Sequence, residues 1–204
     1  MPIITDIKIQ VKNRDKVSVY IDEKYSFSLT ISQLTDHKQV RVKSHLKDDQ
    51  VEDLKKLSSQ TNQYLRLLNL IYARPRSEYE IRTKLRLKKF EQEEIDQLVD
   101  KLKKEGYLND KEFANWWVNS RKLTRNISSL KLKSELAQKG IKGEVVEDAL
   151  ANNFSKEDEL NSLKDLVKNK KNKYESEQKL MSYLVSKGFN YSQIKEVLNK
   201  EETS

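Results

Sequence analysis

The chain has 204 residues, with 40 Lys+Arg against 32 Asp+Glu, a formal net charge of +8 and no cysteine. Four Gly and two Pro stand where roughly fourteen and ten would be usual at ~7% and ~5%, which excludes collagen-like, linker-like and Pro-rich classes. No apolar run approaches the ~20 residues of a spanning helix, and without cysteine there are no disulfides, zinc–thiolate centres or cysteine nucleophiles.

The opening, MPIITDIKIQ, has no apolar h-region, so no secretory signal is expected and the cytoplasm is the default compartment. Ile3, Ile7, Ile9 and Val11 alternate with polar positions, as do Val17, Val19 and Ile21, and then Tyr25, Phe27 and Leu29. This period of two predicts three strands facing one core. Residues 13–16 and 22–24 are the expected turns of an antiparallel meander. So small a sheet needs a helix over its apolar face, and the stretch after Thr30 is the expected cover. From about Lys47 the spacing turns helical. Val51, Leu54 and Leu57 make one stripe and Leu65, Leu68, Ile71 and Tyr72 another, ended by Pro75.

An internal repeat follows. Ile81, Leu85, Phe90, Ile95 and Val99 recur 51 residues on as Leu132, Leu136, Ile141, Val146 and Leu150. They recur after a further 48 as Leu180, Leu184, Phe189, Ile194 and Leu198. Ser77, Ser128 and Ser176 precede the three stripes, each placed to cap a helix by accepting from an unpaired backbone N–H. Lys139-Gly140-Ile141 and Lys187-Gly188-Phe189 predict helix ends with a left-handed glycine. The first copy has Lys89 at that place, so Lys89 must take the strained conformation or the helix must end differently. An apolar helix lies ahead of each serine: residues 65–72, 113–123 and 160–167. The expected fold is therefore mainly α: three tandem three-helix repeats forming an elongated curved array, preceded by a small antiparallel β-meander. The expected divisions are residues 1–46 for the meander with its helical lead-in and 47–109 for a linking helix plus repeat one. Residues 110–153 make repeat two and 154–204 repeat three.

Charge follows the repeat. Residues 74–89 carry a net +5, residues 121–142 a net +6 and residues 164–187 a net +4. Residues 91–112 carry −4 and residues 144–159 carry −5, so stacked repeats are expected to present one basic and one acidic band. No catalytic constellation is legible. His37 and His45 stand eight apart without partner ligands, the glycines form no phosphate-cradling loop, and carboxylate pairs such as Glu93/Glu94 lie on polar helix faces. No enzyme activity, metal or cofactor is expected. The candidate binding residues are basic: Arg74, Arg76, Arg82, Arg86 and Lys89 in the first repeat, then Arg121, Lys122, Arg125, Lys131 and Lys133 in the second. Arginine forks suit phosphate and carboxylate. Arg82 and Arg86 flank the buried stripe, so reversing both to Glu is expected to spare the fold.

The segments Ala73-Arg74-Pro75-Arg76-Ser77-Glu78 and Gly106-Tyr107-Leu108-Asn109-Asp110 occur in order. Phe113-Ala114, Trp117, Ser120-Arg121, Glu135-Leu136 and Lys139-Gly140-Ile141 follow them. This pattern resembles the RecX family of bacterial recombination regulators, and the N-terminal strands look like the β-rich extension of its Gram-positive members. The sequence departs from the family pattern at Lys89 and along residues 122–127. The resemblance implies a non-enzymatic, monomeric protein that binds the RecA filament on single-stranded DNA, with double-stranded DNA left open as a second ligand. It also implies modulation of RecA, in the direction of inhibition, through its ATP hydrolysis, strand exchange and filament stability. A generic nucleic-acid-binding helical protein without RecA dependence is the alternative.

Overall fold

The fold is taken from a computed structural model that describes residues 1–124 and 126–202, and the chain divides into two compact units, residues 1–69 and 70–204. In the first unit β1 (Ile4–Gln10), β2 (Asn13–Ile21) and β3 (Lys24–Thr30) form an antiparallel meander in the order β1-β2-β3. Val17, Val19, Ile21, Phe27 and Leu29 are buried on one face, as their alternation requires. Strand β1 departs from expectation. A register shift between Ile4 and Asp6 makes Ile4 the fully buried residue, whereas Ile9 and Val11 are exposed at the far end of the strand.

The first turn is also shorter than predicted, because residues 13–16 already belong to β2. The second is a two-residue connection, Asp22-Glu23, with φ of 48° and 65° between the paired Ile21 and Lys24. Two positive φ values match a type I′ hairpin turn, whose twist suits the flanking strands. The cover differs too. The helix after Thr30, α1 (Ile31–Asp36), is six residues long and buries no residue fully. It packs on the sheet only through half-buried Leu34, and the cover is completed by Val51, Leu54 and the half-buried Leu57 of α2 (Asp48–Ala73), with Val40 and Leu46 from the preceding loop. That loop returns beside β1, with Ile4 N donating to Ser44 O at 2.9 Å and Leu46 N to Pro2 O at 3.0 Å, which shields the sheet edge.

The second unit takes up the end of α2 and then α3 (Glu78–Leu87) and α4 (Gln92–Lys104). Repeat two comprises α5 (Asp110–Thr124), α6 (Ser129–Gln138) and α7 (Glu144–Asn153). Repeat three comprises α8 (Lys156–Lys170), α9 (Glu177–Ser186) and α10 (Tyr191–Glu202). Of the fifteen apolar positions that recur in the sequence, fourteen are buried and Phe90 is half-buried. The caps form as the serines predict. Ser77 Oγ accepts from Glu80 N at 3.2 Å, Ser128 Oγ from Lys131 N at 3.1 Å, and Ser176 Oγ from Lys179 N at 3.4 Å.

The middle helices also end alike. Gly140 and Gly188 have φ of 81° and 90°, and the next residue, Ile141 or Phe189, donates back to Leu136 O or Leu184 O. Lys89 takes the left-handed conformation at φ 59°, with Phe90 N on Leu85 O, so the geometry is kept at the cost of a strained side-chain-bearing residue. Phe113, Trp117, Val118, Leu132, Leu136 and Ala149 form the centre of the repeat-two core. Trp117 stacks on Phe113 at 5.8 Å, and Trp116 packs half-buried on the same core, so both indoles are structural.

Candidate functional site at the repeat junctions

Each junction brings the C-terminal end of one middle helix against the first turn of the preceding one. At the first junction Gly140 meets Tyr79, and a Cβ at Gly140 would lie 2.4 Å from Tyr79 Cβ. At the second, Gly188 meets the cap of α6, where a Cβ would lie 2.6 Å from Ser128 Oγ. Glycine is required at both places twice over, for the positive φ and for the close approach. A second contact also recurs. Glu78 N donates to Asp110 Oδ1 at 2.8 Å, and its counterpart Ser129 N donates to Glu159 Oε1 at 2.7 Å. The first turn of each new repeat thus offers a carboxylate to the open N–H groups of the previous middle helix.

At the first junction this scaffold carries a charge network. Glu80 accepts from Arg74 in a fork, at 2.8 and 3.1 Å, and from Lys139 Nζ at 2.9 Å. Burial would raise the Glu80 carboxyl, but the hydrogen bonds from Arg74 and Lys139 outweigh it and hold it at about 2. Lys139 Nζ also lies 5.1 Å above the Trp117 ring, and the Arg121 guanidinium lies 4.4 Å from the same ring. Glu135 Oε2 receives Trp117 Nε1 at 3.1 Å and Arg121 Nε at 2.7 Å.

Most of the predicted binding cations therefore have internal partners. Arg82 bridges Glu78 at 2.7 Å and Asp96, tying α3 to α4. This corrects the expectation that its reversal spares the fold, since a glutamate there would face two carboxylates. Lys122 pairs with Asp158 at 2.8 Å, which the lysine and the α8 cap hold at about 2, and Lys133 pairs with Glu147 at 2.7 Å. Arg76 Nε points to Leu70 O at 3.4 Å, and burial is the main reason its pKa lies below the usual guanidinium value. Arg86, Lys89 and Lys131 are exposed and form no hydrogen bond or ion pair through their side chains among the described residues. Arg125 lies outside the described residues. The expected basic bands are thus partly neutralised by the acidic segments beside them. Sequence reasoning missed Glu80 and Lys139, although the repeat register placed both; the signal lay in comparing the same position across copies.

No group of three or more His, Asp or Glu among the described residues is placed to hold a metal ion, and no described helix is long and apolar enough to cross a membrane. Comparison with known proteins gives a consistent picture. Residues 64–102, 109–150 and 157–198 match family profiles described as the first, second and third three-helix domains of RecX, and residues 2–51 match the regulatory protein RecX N-terminal domain. The regulatory protein RecX of Clostridium acetobutylicum is 32% identical over 212 residues, covering 97% of this chain and 95% of its own. That of Listeria monocytogenes is 31% identical over 207 residues, covering 98% and 76%. Among solved structures, a regulatory protein RecX aligns at TM-score 0.72 over 98% of this chain and 100% of its own, at 24% identity. RecX from Lactobacillus salivarius aligns at 0.62 over 71% of this chain and 97% of its own, also at 24%. At that identity the likeness is one of fold.

Proposed function

The chain belongs to the RecX family, and from that premise we propose that it binds the RecA recombinase filament on single-stranded DNA and inhibits the filament's ATP hydrolysis and strand exchange. The observation that carries this reading is the family match through all four parts of the chain, with relatives described as regulatory proteins over nearly its full length. It works without catalysis, as a monomer in the cytoplasm, by occupying the filament and altering its stability in recombinational repair.

The repeat junctions support such a role. Fixed ion pairs and close glycine contacts hold successive helices in register, and regulation by docking needs a surface whose shape is set before binding. Within the basic band, Arg74, Arg76, Arg82, Arg121, Lys122 and Lys133 brace the repeats. Arg86, Lys89 and Lys131 contact the partner.

The net charge of +8 favours one second reading, simple attachment to nucleic-acid phosphates without RecA. The two separate by salt. Binding to bare single strands loses about 0.7 log units of affinity per log unit of salt for each phosphate neutralised. In anisotropy titrations, labelled protein is expected to bind the nucleotide-loaded filament more tightly than bare oligonucleotide and with a shallower salt slope. Equal slopes and equal affinities on both would reject the filament reading.

A further inference from the structure

The two junctions are built on one plan and differ in charge at one place. By the repeat register, Glu80 corresponds to Lys131, 51 residues on, and Lys139 corresponds to Lys187, 48 residues on. Arg74 corresponds to Arg125. Lys139, which grips the Glu80 carboxylate, is therefore matched by a second cation, Lys187, while the carboxylate itself is replaced by Lys131. A cleft of about 320 Å³ opens there, lined by Ile127, Lys131, Glu135, Leu166, Tyr183 and Lys187, with Asn126 at its edge. Lys187 Nζ lies 5.1 Å from the Tyr183 ring one turn earlier on α9, at the place Glu135 holds in repeat two, whereas Lys139 lies over Trp117 of the preceding helix. Glu135 does not replace the missing anion, because its Oε2 is engaged by Trp117 and Arg121 and it forms no ion pair with Lys131 four residues earlier.

We infer that this cleft is a receptor for a carboxylate side chain supplied by an acidic segment of the protein partner, which takes the place that Glu80 fills internally one repeat earlier. A carboxylate is favoured over a phosphate because the equivalent site holds one on Lys139, the counterpart of Lys187. Ile127, Leu166 and Tyr183 beside the lysines also suit the methylene stem of a glutamate. The inference rests on the reading that the principal partner is a protein.

The test is Lys131→Glu in the full chain, which restores the first junction's charge arrangement and lets the protein occupy its own cleft. Lys187→Gln, which withdraws the opposite cation, is the second variant. The probe is a hexaglutamate peptide at low salt, followed by amide chemical shifts, with a short oligothymidylate in a parallel series. The expected result is saturable shifts at Lys131, Lys187 and Gly188 with the peptide. Affinity should fall by at least about tenfold in each variant while helical circular dichroism is unchanged. Peptide shifts elsewhere, or shifts that survive in Lys131→Glu, would overturn the assignment. So would shifts at these amides with oligothymidylate alone. If the cleft fails in this way while the filament titration succeeds, only the site is wrong; filament binding lost in the wild type is a failure of the functional reading itself.

Discussion

Leu136→Ala should lower the unfolding free energy of the second repeat by about 2–5 kcal/mol, the range for a fully buried leucine whose removal leaves a cavity. Leu136 is completely inaccessible, sits in the core with Phe113, Trp117, Val118 and Leu132, and its carbonyl accepts from Ile141 N at 3.0 Å. The substitution therefore loosens both the core and the helix end that carries Gly140 into the first junction. The readout is specific, because both tryptophans of the chain, Trp116 and Trp117, lie on α5 of this repeat. In urea titrations the tryptophan transition should move to lower denaturant. Leu184→Ala, the corresponding change in repeat three, should affect it only through the second junction, as expected where repeats couple to their neighbours. An unmoved tryptophan transition in Leu136→Ala would contradict the packing described.

The second large effect concerns Glu80. A carboxyl held at about 2 against an ordinary 4.5 sets an upper figure of about 3 kcal/mol of stabilisation at neutral pH, which solvent screening lowers for a half-buried group. The group's folded-state pKa is depressed, so this contribution is fully present above about pH 4.5 and is lost as pH falls toward 2. Glu80→Gln removes it while leaving Arg74 and Lys139 close together. At pH 7 the variant should be less stable by about 1–2 kcal/mol. The gap from the wild type should narrow steadily below about pH 4.5 in denaturation curves taken at successive pH values. A gap of constant size from pH 6 down to pH 3 would show that Glu80 acts through packing alone.

Much of this architecture is legible in the residues because local rules and the fold agree. The serine caps, the glycine-terminated middle helices and the fifteen apolar positions each follow from backbone chemistry and from a helical period repeated in register. Lys89 illustrates the strength of that register, since it adopts a left-handed φ of 59° that its own side chain disfavours. The failures are equally physical. Ile9 and Val11 continue the alternation of β1, and Ile9 pairs with the buried Val17, but at that end of the strand both lie in solvent. The cover of the sheet could not be chosen from pattern alone, because α1 and the start of α2 both carry apolar residues and only tertiary packing buries Val51 and Leu54 while leaving Leu34 half-buried. The charged residues were the least legible. Arg82 looks like a free surface cation in sequence, yet Glu78 and Asp96 meet it only once α3 and α4 are folded together. Glu80 joins Lys139 across 59 positions of chain.

The most direct measurement is ATP hydrolysis by the cognate RecA on single-stranded DNA, with this protein titrated from substoichiometric amounts. Arg86→Glu together with Lys89→Glu serves as the control, since neither side chain braces the fold. Hydrolysis should fall at ratios well below one protein per RecA, and the charge-reversed variant should require more protein for the same effect. Unchanged hydrolysis up to equimolar protein, together with salt-sensitive binding to bare DNA, would contradict the account and leave a nucleic-acid-binding protein in its place.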